Sequence, residues 1–471
     1  MAVSLRTRAD ITLDAFRAVS RRGEPISLEP VALERMDSCA ASFDALVRER
    51  VAADPQALIY GVTTAPGDGA AVALDAERQA RRSTRLWSAV SYGEPLPQRV
   101  VRGFVLARLA NMLGGHAAAR GQVAQAVAAL LDEPQLPIVP LQGNGGAGEI
   151  IALGALFAGL SERLELRPKE RMALINGSPC AAALVADIAL SGRVRLAAAE
   201  RMLALSSEVI GAPDEAYGAD LEELWGDEHE TAALRRLREL RAGAAGTPQA
   251  HQAPVSYRIL PRVLGALRRA QAAAEQAAAI SLRSVSDNPV YIPPDAGRPL
   301  GAVFSTGGYH NAQAPAAIDA QAAAWADICQ LAERHVDQLF QHPTTRPLLS
   351  ADEWTIKAFH HTQNWWAEES RALASPSLLS LGGFGQNDVP SMSFLAWRKA
   401  EQIGRCLDAA LAGLGVVASQ ALHVAERPAA PALRGTLEQV RRHVAPVTAE
   451  PRLLGREAQG LLDELTAQAH G

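Results

Sequence analysis

The sequence has few of the features that indicate a metal centre, a disulfide or a nucleic-acid-binding surface. Its four cysteines are scattered without CxxC spacing, and its eleven histidines form no HExxH or comparable pair. We therefore predict reduced thiols and no metal site. Charged residues make up 21% of the chain and the net charge is −5, which gives no electrostatic argument for a nucleic-acid partner.

Long apolar runs are also missing. No uninterrupted apolar run reaches the length of a membrane span, and the first residues, MAVSLRTRAD, contain no apolar signal-peptide core. The sequence therefore predicts a cytoplasmic protein without a membrane partner.

A glycine-rich loop is the most distinctive segment of the chain. Leu136 to Gly154 reads LPIVPLQGNGGAGEIIALG, in which five glycines permit positive φ and close approach of the backbone. Gly143, Gly145 and Gly148 fit the dinucleotide fingerprint GxGxxG, but prolines interrupt the approach and both flanks are helical in pattern. A turn that lets two helices cross closely is the alternative that residue patterns alone leave open.

The rest of the pattern is helical. Ala-rich segments with helical periodicity follow the loop and predict a mostly α fold with a central bundle of long helices. We divide the chain into an N-terminal part, 1–205, that carries the glycine-rich loop, a central long-helix bundle, 206–440, and a C-terminal helical tail, 441–471.

Six separated segments between about residues 10 and 440 resemble, in the same order, motifs of the aromatic amino-acid ammonia-lyase family, which includes histidine and phenylalanine ammonia-lyases and related aminomutases. They are IYGVTT, VPLQGNGGAGEIIALG, KERMALINGS, QAPVSYRILPRVLGA, SDNP with GGYHN, and QNDVPSM. The third is similar to the family's Lys-Glu-Gly-Leu-Ala-Leu-Ile-Asn-Gly-Thr. The resemblance implies the helical fold of the ammonia-lyase and fumarase/aspartase-like superfamily, and a homotetramer whose active sites draw on several subunits.

The resemblance also implies site residues. Tyr60 matches the tyrosine that abstracts the substrate proton, and Asn176 matches an asparagine that contacts the family's electrophile and the substrate carboxylate. Gln252 and Arg258 match the fourth motif, and Arg258 is a candidate to bind a carboxylate through both ends of its guanidinium. Tyr309 stands where the family has phenylalanine.

Four positions depart from the family. Ser88 replaces a histidine, Val255 a tyrosine, and Asn387 an acid or glutamine that faces the amine. The family's Ala-Ser-Gly triad cyclises into the electrophile methylidene imidazolone, but this chain has either Gly146-Ala147-Gly148 in its place or Ala147-Gly148 with the serine deleted. Since residues 141–154 contain no Ser, Thr or Cys, we predict that this cofactor is absent and that the enzyme has none.

The function predicted on that basis is a cofactor-free lyase or isomerase acting on a small carboxylate-bearing substrate. Tyr60 would be the base, Arg258 would bind the carboxylate, and amides of the loop from Gly143 to Gly148, which contains the predicted catalytic segment Gly146-Ala147-Gly148, would stabilise developing enolate charge. Two alternatives remain: a catalytically inactive relative that acts as a binding or partner protein, and a conventional aromatic amino-acid ammonia-lyase.

Overall fold

The computed structural model describes residues 2–75, 77–78, 86, 88–245, 252–343, 354–379, 382–383, 385–447 and 452–471, and it is mostly helical. The predicted mostly α class is confirmed. In chain order the α-helices of this part are α1 (Leu13–Ser20), α2 (Pro30–Ala53), α3 (Gln98–Leu113), α4 (Gly121–Ala129), α5 (Ile150–Phe157), α6 (Leu160–Arg163), α7 (Pro168–Ile175), α8 (Pro179–Val209), α9 (Asp220–Trp225), α10 (Glu228–Arg241), α11 (Val255–Arg258), α12 (Leu260–Ser281), α13 (Gln313–Gln341), α14 (Trp354–Lys357), α15 (Phe359–Leu373), α16 (Ser393–Val424), α17 (Arg434–His443) and α18 (Leu454–His470).

The strands of the described residues form two small sheets. Strand β1 (Val3–Leu5) pairs in parallel with β2 (Ile26–Leu28), and β3 (Val290–Ile292) pairs antiparallel with β4 (Ala302–Phe304). Each strand has three residues, so the fold depends on helix packing for its core.

The chain divides into two compact units that interleave along the sequence. The first contains Met1–Asp187, Ala274–Ala317 and Ser377–Arg398, and the second contains Ile188–Ala273, Ile318–Pro376 and Lys399–Gly471. These units are defined by contacts and combine segments that are distant in sequence, whereas the predicted parts 1–205, 206–440 and 441–471 are contiguous. The contiguous division stays a prediction.

Helix α3 forms the core of the first unit. It is buried along almost its whole length, and α1 packs closely against it, because a Cβ at Gly103 would lie 2.6 Å from the Phe16 ring. The start of α1 is fixed by Thr12, whose side chain accepts a hydrogen bond from the backbone N–H of Ala15. A charged residue of α3, Arg108, is fully buried and belongs to the site described below.

The second unit contains a buried ion pair. Arg195 donates from Nη2 to Asp408 Oδ2 at 2.9 Å and from Nε to Oδ1 at 3.1 Å, with both side chains almost completely buried. The guanidinium also lies over the Trp325 ring, 4.9 Å from its centroid. Such a pair is costly to break, because removal of either partner leaves a charge without water or counter-charge.

The same unit contains a buried histidine. His335 stacks on Tyr257 with ring centroids 3.8 Å apart, its Nε2 donates to the Ser256 carbonyl at 3.1 Å, and its Nδ1 lies 3.1 Å from Ser206 Oγ. Burial lowers the pKa of His335 to about 4, so the ring is neutral near pH 7.

Two helical segments, Pro168–Val209 and Ser393–Val424, have the length and mean hydropathy of a membrane span. Their most apolar windows are 94% and 89% buried inside the fold, as is common for core helices. A search of the sequence for uninterrupted apolar runs does not find these helices, because scattered polar residues interrupt the apolar residues in each of them.

Candidate active site

A cavity of about 760 Å³ lies in the first unit. Its volume is in the range of small-molecule sites. Most of the described residues that line it come from the Tyr60 loop, from α7 and the residue after it, and from the loop after β4. They are Tyr60, Pro66, Gly67, Leu86, Ser88, Ala147, Ile150, Arg171, Met172, Ile175, Asn176, Asn288, Ser305, Thr306, Gly307, Tyr309, Gln386 and Asn387.

Tyr60 is half-buried and is held by its own loop. The backbone N–H of Gly67 donates to the Tyr60 hydroxyl oxygen at 3.0 Å, and a donor at this position stabilises negative charge on that oxygen. Gly61 follows with φ +65°, and a Cβ there would lie 2.6 Å from the Met172 side chain. Glycine at position 61 thus allows the tyrosine loop to approach α7 closely.

The glycine-rich loop ends in three left-handed or unusual backbone positions. Gly146, Gly148 and Glu149 have φ of 98°, 67° and 57°. The Gly177 N–H donates to the Gly148 carbonyl at 3.1 Å, and a Cβ at Gly148 would lie 2.5 Å from Asn176 Oδ1. Only glycine at position 148 allows Asn176 to occupy its observed place.

Glu149 ties the loop to the start of α8. Its carboxylate accepts hydrogen bonds from the backbone N–H groups of Cys180 at 2.7 Å and Ala181 at 2.8 Å. Burial raises the pKa of Glu149 to about 7, although these two donors act in the opposite direction. The charged form at a helix N-terminus is the better acceptor, so the carboxylate helps to fix the loop.

A buried charge cluster lies behind Asn176. Arg108 donates to the Asn176 carbonyl at 2.7 Å and is paired with Asp287, and Lys169 Nζ lies 3.3 Å from the same carboxylate. Burial lowers the pKa of Lys169. The next residue, Asn288, lines the cavity and accepts the Thr306 N–H at 2.9 Å. The cluster therefore fixes two walls of the cavity.

Most of the site residues predicted from the sequence are brought together. Those that line the cavity are Tyr60, Ser88, Ala147, Asn176, Tyr309 and Asn387. Gly146 and Gly148 flank Ala147 in the same loop and are not among the lining residues. The roles of all these residues in binding or catalysis stay predictions.

The other three predicted residues belong to the second unit. Val255 is 58% exposed, and Arg258 donates from Nε to the Ala253 carbonyl at 2.9 Å. Both lie in the short helix α11, and Gln252 precedes it by three residues. A role for Gln252, Val255 or Arg258 in binding a carboxylate stays a prediction.

The sequence reading missed Arg171, which is the only charged residue among the lining residues that the structure describes. The available signal was helical spacing. Arg171 and Met172 lie one turn before Ile175 and Asn176, so these four residues occupy one side of α7. Within the described ranges, no group of three or more His, Cys, Asp or Glu side chains could hold a metal ion.

Comparisons with known proteins agree over nearly the whole chain. The family model described as Aromatic amino acid lyase matches residues 11–163 and 158–442. The histidine ammonia-lyase of Symbiobacterium thermophilum is 30% identical over 493 residues, which cover 97% of this chain and 95% of that protein. The histidine ammonia-lyase of Deinococcus radiodurans is 29% identical, with 97% and 93% covered.

The fold is similar to that of solved structures. The crystal structure of the tyrosine aminomutase from Streptomyces globisporus covers 100% of this chain, and 98% of that chain is covered in turn. The TM-score is 0.84 at 21% sequence identity, which shows that the two chains have the same helical fold.

The prediction of an enzyme without a cofactor is contradicted by these comparisons. The matching relatives are histidine ammonia-lyases, and these are enzymes of the kind in which the triad forms methylidene imidazolone. The prediction rested on a single missing serine, whereas the similarity extends over 97% of the chain. We therefore withdraw it.

The loop of this chain nevertheless differs from the triad in its chemistry. Formation of the exocyclic methylene requires loss of a side-chain hydroxyl as water, and residues 141–154 contain none. Because the residues present do not fit that reaction, the steps proposed below use only side chains and backbone groups of the chain.

The family assignment does not depend on this loop. The family model covers most of the chain, a relative with 30% identity matches along 97% of it, and the motifs of the first unit meet around one cavity. Its relatives are lyases, and the chain belongs to the aromatic amino acid lyase family.

Proposed function

We propose that the protein eliminates ammonia from an aromatic amino acid and releases the α,β-unsaturated acid. The observation that carries the proposal is the position of Tyr60 in the wall of a cavity that also contains Asn176 and Ala147. The relatives named histidine ammonia-lyase support the reaction class, and the conventional ammonia-lyase alternative is the one that we adopt.

Tyr60 acts as the base in this proposal. It removes a proton from the substrate Cβ, the C–H electron pair becomes the new C=C bond, and the C–N bond breaks with its electron pair remaining on the nitrogen. The Gly67 N–H, 3.0 Å from the phenol oxygen, donates to the oxygen that carries the negative charge before Tyr60 accepts the proton. The proton then leaves with ammonia or returns to solvent.

Two polar side chains on the cavity wall bind and orient the substrate. Within the described residues, Asn176 Oδ1 and Ser88 Oγ are buried and have no hydrogen-bond partner in the protein. Both atoms therefore indicate a bound ligand, because a buried polar atom without a partner costs about 1–3 kcal/mol. Asn176 Oδ1 can accept a hydrogen bond from the amine end of the substrate, and the glycine loop and Arg108 fix the position of Asn176.

The aromatic ring packs against the apolar part of the wall. Leu86, Ile150, Met172 and Ile175 supply this surface, and burial of apolar area supplies binding energy without regard to ring chemistry. The identity of the ring must therefore be read by polar residues on the same wall.

The test is to incubate the purified protein separately with histidine, phenylalanine and tyrosine and to record ultraviolet absorbance. The conjugated unsaturated acids absorb at longer wavelengths than their parent amino acids, so a rise that depends on substrate and enzyme supports the proposal. Absence of product from these three and from ring-substituted analogues would contradict it.

A further inference from the structure

Of the residues that line the cavity and that the structure describes, one is charged, and it is a cation. Arg171 is the single charged side chain among its described lining residues, and it is nine-tenths buried. Asn387, which occupies the position of the family's acidic or amide residue, is uncharged and also lines the cavity. The wall formed by the first unit therefore complements a ligand that brings negative charge into it.

The other charges of α7 are directed elsewhere. Glu170 accepts hydrogen bonds from Arg120 at 2.7 and 2.8 Å, and Lys169 pairs with Asp287. Arg171 instead lies on the side of the helix that carries Met172, Ile175 and Asn176 to the cavity. Three neighbouring charges in one helix thus have different tasks, and only Arg171 belongs to the cavity wall.

An acidic residue beside the lining segment, Asp68, makes a contact of its own. Asp68 follows the lining residue Gly67, but its side chain is not part of the described lining. Its carboxylate accepts the backbone N–H of Gln386 at 3.1 Å, and it thereby joins the tyrosine loop to the 386–387 segment.

The position of Arg171 along α7 indicates which part of a substrate it meets. Arg171 precedes Asn176 by five residues, about 7.5 Å along a helix axis, and the apolar Met172 and Ile175 lie between them. This spacing is comparable to the length of an aromatic amino acid. With the reacting atoms near Tyr60 and Asn176, the far end of the ring reaches the Arg171 end of the wall.

We propose that Arg171 is a specificity-determining residue that selects an amino acid whose ring or side chain ends in a second carboxylate. The inference rests on the proposed function for the orientation of the substrate. Arginine suits this task because its guanidinium has five N–H donors, so it can bind a carboxylate while it keeps other partners. In the family motif quoted above the corresponding residue is glycine, which offers no charge.

The experiment compares two product-like ligands, cinnamate and 4-carboxycinnamate, whose dissociation constants are measured by calorimetry on the full-length protein. We expect the wild type to bind 4-carboxycinnamate at least about tenfold more tightly, as charge-assisted hydrogen bonds allow. Arg171→Gln should abolish that preference while the affinity for cinnamate changes by less than about threefold.

The matched control is Arg163→Gln, because Arg163 lies in the same unit and its side chain is 64% exposed. This variant should keep the preference. If Arg171→Gln does not fold, Asn387→Asp supplies the second test, since it adds a negative charge to the same wall and should reduce the preference without altering Arg171.

Equal affinities of the two ligands in the wild type, or a preference that survives in folded Arg171→Gln, would overturn the proposal. Calorimetry measures binding without turnover, so failure of the elimination reaction is recorded separately. A protein that discriminates between the ligands but forms no product would contradict the proposed function and leave the role of Arg171 intact.

Discussion

Replacement of Gly148 with alanine tests how the glycine loop supports the site. The backbone at this position has φ +67°, and the added Cβ would lie 2.5 Å from Asn176 Oδ1. The left-handed conformation costs a non-glycine residue about 1–2 kcal/mol. Relief of the collision must also move the loop or the Asn176 side chain, which is 6% exposed and has little space.

The expected effect on activity follows from the displacement of Asn176. Loss of one hydrogen bond to a charged group in the substrate is worth about 1.5–3 kcal/mol, which corresponds to a fall of roughly 10- to 100-fold in kcat/KM. The free energy of unfolding should fall by about 1–2 kcal/mol from the backbone strain. Both are measured on the same preparation, by product absorbance and by urea denaturation.

Two nearby glycines separate the strain from the collision. Gly146 has φ +98° and nothing within 4 Å of an added Cβ, whereas Gly145 has open space and no positive φ. Gly146→Ala should therefore lose stability and keep more activity than Gly148→Ala, and Gly145→Ala should resemble the wild type in both. Equal activity of the Gly146→Ala and Gly148→Ala variants would refute the argument that Gly148 acts through Asn176.

Two further predictions concern the second unit. Because the pKa of His335 is lowered to about 4 in the folded protein, the unfolded chain binds a proton between about pH 6.5 and 4 that the folded chain does not. The free energy of unfolding should fall by roughly 3 kcal/mol as pH drops through this window. Urea titrations at several pH values should show this pH dependence in the wild type and not in His335→Gln. An identical pH dependence in both proteins would exclude His335 as its source. Asp408→Asn should destabilise the protein by about 3–5 kcal/mol because it removes the buried carboxylate that pairs with Arg195. The control is Glu368→Gln, in a pair whose side chains are 67% and 64% exposed, and it should change stability by less than about 1 kcal/mol. Similar urea midpoints for the two variants would contradict this prediction.

The sequence predicted those parts of the site that local motifs encode. Tyr60 and Asn176 stand in short segments whose residue order is informative, and the structure places both in one cavity wall. The mostly helical class follows from periodicity that extends over most of the chain. Each of these predictions needs only neighbouring residues.

Long-range contacts explain much of what the sequence could not predict. Arg108 and Asp287 are separated by 179 positions, and neither has a local pattern that indicates a partner. The first unit takes in Ala274–Ala317 and Ser377–Arg398, which are far apart in the sequence from its N-terminal part. Arg171 was missed for another reason. The departures from the family pattern that were considered are positions where a functional side chain is lost, whereas at position 171 a charged side chain replaces a glycine.

The cofactor prediction was wrong because it weighed one residue against the whole chain. The missing serine is a fact of the sequence, but the relatives that match 97% of the chain are histidine ammonia-lyases.

The most direct test of the proposed reaction is the rate of unsaturated-acid formation by the wild type, Tyr60→Phe and Tyr92→Phe on the same aromatic amino acid. Tyr92 is 86% exposed and serves as the matched control. Loss of a general base should lower kcat by at least about 100-fold in Tyr60→Phe, with the helical content and the affinity for cinnamate retained, while Tyr92→Phe keeps wild-type activity. A folded Tyr60→Phe variant that turns over at the wild-type rate would contradict the account.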